Sequence, residues 1–172
     1  MLFFYFYYFL TMHDLNNILT KFNNLDSLII DASSIIYLNK LNILSKLQVS
    51  LLLLTIQEII EETGIYSYDF KIIDHNIKNK TNDEKLIILA INKRIPVISD
   101  DKKILLKLKK NNIDYYNSIM MLNFLYYKNE INIQEYKKLT EKLKNFAWYS
   151  KKIITYSEYF FNYISSLKQN YK

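Results

Sequence analysis

A chain of 172 residues that is 50% hydrophobic is long enough for one sizeable core and too short for two ordinary domains. It has no cysteine and only two isolated histidines, His13 and His75, which excludes disulfides, cysteine-held zinc and a histidine-rich metal centre, so a resident metal must be held by oxygen. The net charge of +6 suits a polyanionic partner, although most lysines in such a chain line solvated helix faces.

The opening run MLFFYFYYFL is apolar throughout but well short of the ~20 residues that span a bilayer. It also lacks the basic start and small-residue cleavage site of a secretory signal. Residues 1–11 therefore read as a translation-start artefact ahead of Met12, or as a short packing or membrane-associated segment, and a cytoplasmic protein is expected. Glycine and proline occur once each, so the usual turn punctuation is missing.

Residues 14–23 read as a helix. SLIID (27–31) is a continuous apolar run closed by a carboxylate, the pattern of a parallel strand buried on both faces. Residues 33–47 carry apolar side chains at helical spacing, in one or two short helices. QVSLLLL (48–54) reads as a second strand, followed by TIQEIIEE (55–62), a helix with Thr55 as its N-cap. A tyrosine-rich connector beyond Gly64 leads to TNDEKLIILAINKR (81–94), a helix opened by Thr81 or Asn82. IPVISDD (95–101) is a third strand, KKILLKLKK (102–110) a basic amphipathic helix and IDYY (113–116) a fourth strand. Helices then occupy 117–127, 132–145 and 155–168. Alternating strands and helices predict an α/β fold with a parallel sheet.

The acids follow that pattern. Asp31 ends the first strand and Asp100–Asp101 end the third, so a parallel sheet brings both to its carboxyl edge, where ligands of open α/β folds collect. Asp83 sits in the first turn of the helix that feeds the third strand, with Ile87 and Ala90 continuing its face. Glu58 and Glu62 lie one turn apart on another helix. Acids converging on a cleft repel one another unless a cation lies between them, and hard oxygen ligands select Mg²⁺ or Mn²⁺. That is the chemistry of metal-dependent phosphodiester hydrolysis.

Each acid also has an ordinary explanation. Asp83 suits a helix dipole, the SDD run suits an N-cap, and Glu58, Glu61 and Glu62 suit a solvated helix side. Asp31 has no comparably obvious capping role. Lys102, Lys103, Lys107, Lys109 and Lys110 either track a phosphate backbone beside the acids or form a solvated face opposite Ile104, Leu105 and Leu108. Tyr66, Tyr68, Tyr115 and Tyr116 offer rings for stacking bases, but most of the tyrosines read as core or as a bias of composition.

LIIDASSIIYLNKLNILSKL is similar to the opening strand, aspartate, following hydroxyl residue (Ser33) and helix of the PIN-domain family. These are small α/β metal-dependent nucleases that include the VapC-type toxins. TNDEKLIILA resembles the family's acid-led helix and maps its third acid onto Asp83, and VISDD resembles the closing motif, mapped onto Ser99, Asp100 and Asp101. For the second acid, TIQE matches at Glu58, while an apolar-x-x-Glu pattern starting at Ile59 selects Glu62; Glu58 is preferred by a small margin. The resemblance runs from about Ser27 to Tyr116, and the tail is similar to the helical extension of one PIN subgroup. Asn82 stands in place of a usual glycine, Ile56 of a common proline and Lys102–Lys103 of a frequent arginine, and none of these departures removes a carboxylate.

The resemblance implies a three-layer α/β/α fold with a central parallel sheet of about four or five strands plus C-terminal helices. It divides the chain into an N-terminal segment (1–25), a nuclease domain (26–127) and a helical extension (128–172). It implies a Mg²⁺- or Mn²⁺-dependent endoribonuclease with Asp31, Glu58, Asp83 and Asp101 catalytic, and Asp31, Asp83, Asp100 and Asp101 as metal ligands, Glu62 being the alternative to Glu58. Ser33, Ser99, Lys102, Lys103 and Lys107 would bind the RNA substrate. An antitoxin protein and a second copy of the chain are the further partners it suggests. The rival expectation is a PIN-fold module that binds nucleic acid or protein without cleaving it.

Overall fold

The computed structural model describes residues 12–170; the expectation for residues 1–11 lies outside them. Five parallel strands form the sheet: β1 (Ser27–Ile30), β2 (Leu52–Thr55), β3 (Lys71–Ile72), β4 (Val97–Ile98) and β5 (Tyr115–Tyr116), in the order β3-β2-β1-β4-β5. Helices flank it as α1 (Met12–Asn23), α2 (Ala32–Lys40), α3 (Leu44–Ser50), α4 (Gln57–Thr63), α5 (Asn82–Lys93), α6 (Lys102–Lys110), α7 (Ser118–Tyr127), α8 (Ile133–Lys144) and α9 (Lys151–Asn170). The architecture is the expected three-layer α/β/α with C-terminal helices.

The sheet order has one functional consequence. The chain leaves β1 for β2 and β3 on one side, then crosses to β4 and β5 on the other, so the winding reverses between β1 and β4. A crevice opens at such a switch point beyond the carboxyl ends of the two strands. Asp31 follows β1 directly, and Ser99, Asp100 and Asp101 follow β4.

Leu28, Ile29, Ile30, Val97 and Ile98 are all buried, as strands covered on both faces require. The apolar sequence of α7 is buried from Ser118 through Tyr126, and it packs against α2, α8 and α9. A helix apolar all round must be covered all round, which is why the C-terminal helices join the same core. Phe160, Phe161 and Ile164 of α9 and Leu15 and Phe22 of α1 belong to that one cluster. Phe22 meets the rings of Tyr116, Phe124, Tyr127 and Phe160 with centroids 5.2–6.1 Å away. Among the described residues no helix is long and apolar enough to cross a membrane.

Several boundaries differ from the sequence expectations. Residues 48–50 finish α3, and β2 begins only at Leu52. Thr55 does not cap α4: it ends β2, buried, and donates its hydroxyl to the Ile30 carbonyl at 3.0 Å, while Ile56 takes the cap position without a side-chain bond. β3 lies inside the tyrosine-rich connector; two exposed residues leave no periodicity to read. Left-handed backbone falls on Asn42, Asn79, Asn112, Asn129, Arg94 and the single glycine, Gly64. Asparagine tolerates that conformation better than other side chains, so here it supplies the punctuation that glycine normally marks.

Candidate functional site

Asp31 occupies the N-cap of α2, with extended backbone and its carboxylate accepting the Ser34 N–H at 2.8 Å. That is a capping role which the sequence does not disclose. The Ser99 hydroxyl donates to the same carboxylate at 2.6 Å, and the Ser33 hydroxyl lies 3.0 and 2.9 Å from its two oxygens. The group is 2% exposed. Burial pushes its pKa up from 3.8 to about 6, against the lowering effect of these hydrogen bonds. Desolvation wins because three hydroxyl or amide donors replace only part of the hydration that an ionised carboxylate loses.

Asp100 is expected among the metal ligands, and the structure gives it other work. Its Oδ1 accepts the Ser118 N–H at 3.1 Å and the Tyr149 hydroxyl. Its Oδ2 accepts the Ser34 hydroxyl at 3.0 Å and the Ser118 hydroxyl. Four donors fill the four lone-pair sites of a carboxylate, so Asp100 ties β4 to α2, α7 and the segment before α9. Burial, followed by the charge of Asp100, drives the Tyr149 hydroxyl well above its ordinary pKa, which keeps it a donor at every working pH. Tyr149→Phe removes one bond to this charged hub and is expected to cost about 1.5–3 kcal/mol, read as a lower midpoint in urea denaturation with unchanged slope.

A second group of acids gathers beside the first. Asp101 caps α6, accepting the Lys103 N–H, and its own N–H donates to Ser99 Oγ at 3.1 Å. Ser99 therefore bridges Asp101 to Asp31. It is fully buried and orders the two acids. Asp83, in the first turn of α5 behind a Thr81–Glu84 capping box, has its pKa raised by desolvation and then by the charges of Asp101 and Glu62; Lys107 and Lys103 pull the other way. Glu62, on the last turn of α4, accepts Asn82 Nδ2 at 2.9 Å. Three elements thus bring Asp83, Asp101 and Glu62 into one electrostatic field.

Glu58, preferred from the sequence, stands apart. Lys85 donates to it at 2.7 Å and His75 Nε2 lies 3.3 Å away. The Ile77 N–H donates to His75 Nδ1 at 3.3 Å, which assigns the imidazole proton to Nε2 and makes it the donor to Glu58. Lys85 foremost holds the Glu58 carboxyl down to about 2. A charge already neutralised by an ammonium adds little attraction for a cation, whereas Glu62 adds to the field at Asp83. The depressed pKa contributes stability that is present above 4.5 and lost as pH falls towards 2. With a third of the side chain exposed, that contribution is roughly 1 kcal/mol. Glu58→Gln is expected to lower the thermal midpoint at neutral pH and to converge with the wild type as pH falls to about 2.

Of the other expected residues, Ser33 is half-buried against Asp31, and Lys102, Lys103 and Lys107 are exposed on α6. Lys103 and Lys107 come close enough to Asp83 to act on its charge, so α6 presents ammonium groups to the acid cluster. Of the four tyrosines, Tyr116 is buried and Tyr68 is half-buried, donating to Asn39; Tyr66 and Tyr115 remain exposed. Among the described residues no three carboxylate or imidazole groups stand together closely enough to hold a metal ion. Comparison with protein-family models, curated proteins and solved structures finds no match for this chain.

Ser34, Lys85, Ser118 and Tyr149 join the site without any signal in the sequence. Lys85 meets Glu58 across 27 positions and Tyr149 meets Asp100 across 49. No local spacing marks such pairs.

Proposed function

We propose that this chain is a divalent-metal-dependent endoribonuclease of PIN type. The observation that carries the reading is the placement of acids beyond the carboxyl ends of β1 and β4, at the switch point. Asp31 and Asp101 follow adjacent central strands and are joined through Ser99, and Asp83 shares a like-charge field with Asp101 and Glu62. Desolvation, and then the charges of Asp101 and Glu62, raise the proton affinity of Asp83, and a hard cation would relieve that repulsion. The donor type suits Mg²⁺ or Mn²⁺, being carboxylate oxygen with no thiolate or imidazole, although among the described residues the acids do not stand within coordination distance of a shared ion.

Asp83, Asp101 and Glu62, with Asp31 behind them, would hold the ion, which supplies Lewis acidity and a nucleophilic water when bound. Asp100 and Glu58 are structural in this reading, one anchoring the C-terminal segment and the other tying α4 to α5. Ser99 keeps Asp31 and Asp101 in register. Lys103 and Lys107 offer ammonium groups to the phosphate backbone beside the acids. A toxin neutralised by an antitoxin protein is the biological setting that suits a small nuclease of this type, and a second copy of the chain is a further proposed partner.

A second reading, binding without cleavage, draws on the closure of Glu58 by Lys85 and on the saturation of Asp100. Purified protein incubated with several RNAs in Mn²⁺, with and without chelator, separates the two. Cleavage that chelator abolishes supports the nuclease, and intact RNA under both conditions supports the binding module.

A further inference from the structure

Trp148 is the only tryptophan of the chain and is 99% exposed. Full exposure is rare for a side chain with so much apolar surface, and its neighbours show that it is not the result of a loose segment. Phe146 packs edge-on against Tyr37 with centroids 5.5 Å apart, and Lys40 lies over the same ring at 5.3 Å. Ala147 is buried, and the Tyr149 hydroxyl is bonded to Asp100. The Tyr149 N–H donates to the Ala147 carbonyl at 3.1 Å, closing a three-residue turn with Trp148 at its apex. Every residue around the indole is pinned, and among the described residues no ring stacks on it.

One anchor of this turn, the Tyr149 hydroxyl, ends on Asp100, which directly precedes Asp101 in the chain. On the far side, Lys151 and Lys152 are exposed at the start of α9. Lys40, over the Phe146 ring, brings a further ammonium group to the same turn.

We propose that Trp148 is a base-stacking platform for single-stranded RNA. The choice of polyanion rests on the ribonuclease reading. A preorganised aromatic face flanked by ammonium groups is the chemistry that binds unpaired bases irrespective of sequence, each stack contributing about 1–3 kcal/mol. A duplex keeps its bases paired and offers no such face.

Because Trp148 is the sole tryptophan, its fluorescence reports on the surroundings of this one side chain. The wild type is titrated in chelator with short oligouridylate and oligoadenylate strands and with an RNA duplex, and affinity is measured separately by anisotropy of labelled strands. Saturable quenching by the single strands and not by the duplex is expected. Trp148→Ala should weaken binding about tenfold and Trp148→Phe less than about threefold. Three results would overturn the proposal: equal affinity of Trp148→Ala and wild type, binding of the labelled strand without quenching, or no binding by the wild type. A concentration-dependent spectral shift without RNA, abolished by Trp148→Ala and accompanied by no quenching, would assign the indole to a protein contact and overturn it as well. Quenching without cleavage in Mn²⁺ would leave the platform standing and remove the nuclease. Cleavage and binding unaffected by Trp148→Ala would do the reverse.

Discussion

Asp31→Asn is expected to stabilise the metal-free protein at neutral pH and to leave it unchanged near pH 4. In the folded state the Asp31 pKa rises from 3.8 to about 6. A raised folded pKa means that its contribution to stability is complete below the unfolded value and is lost as pH rises through the folded one. A rise of that size corresponds to roughly 3 kcal/mol, which the ionised wild type forgoes at neutral pH. Asparagine carries no charge and caps a helix as well as aspartate does, so the bond from the Ser34 N–H survives. Its amide group needs an acceptor, and the Ser33 and Ser99 hydroxyls can turn to provide one. Discounting for that rearrangement leaves a gain of about 2 kcal/mol. Urea melts of both proteins across this range test it. An asparagine variant that is less stable at neutral pH would show that the hydrogen bonds of the carboxylate outweigh its desolvation. Mn²⁺ should raise the unfolding free energy of the wild type by about 2.7 kcal/mol at a hundredfold excess over its dissociation constant, and should not do so for the variant.

Asp83→Asn and Asp101→Asn are expected to reduce Mn²⁺-dependent RNA cleavage at least ~100-fold, since a bound metal contributes several kcal/mol of charge stabilisation in such reactions. Asp83 is exposed, and its removal relieves repulsion from Asp101 and Glu62, so the thermal midpoint of apo Asp83→Asn should equal or exceed that of the wild type. Loss of activity without loss of fold is the signature of a ligand. The glutamates provide an internal contrast. Glu62→Gln should lower cleavage about as strongly as Asp83→Asn, while Glu58→Gln should cost less than about tenfold and register mainly in stability. If Glu58→Gln were the crippling change and Glu62→Gln harmless, Lys85 and His75 would have to release Glu58 on substrate or metal binding.

The apolar runs 28–30 and 52–54 and their alternation with helical segments determine the α/β class, because a strand flanked by helices on both faces must be apolar on both of its own. The acids at strand ends and at the head of α5 are equally local: Asp31, Asp83 and Asp101 hold their places through the lengths of β1, α5 and β4 alone. Composition blurs the boundaries, since asparagine replaces glycine at most left-handed turns and residues 48–50 run into the apolar strand without a break. Tertiary structure decides which acids stand exposed to one another's charge. Glu58 and Glu62 are chemically the same residue one helical turn apart, yet Lys85 arrives from α5 to neutralise the first, while Asp83 from the same helix leaves the second uncompensated. Asp100 and Asp101 are adjacent in the chain, but the alternation of side chains at a strand end sends one into Ser34, Ser118 and Tyr149 and leaves the other capping α6. Charge pairing depends on distances of a few ångströms between segments far apart in sequence, and only packing sets those distances.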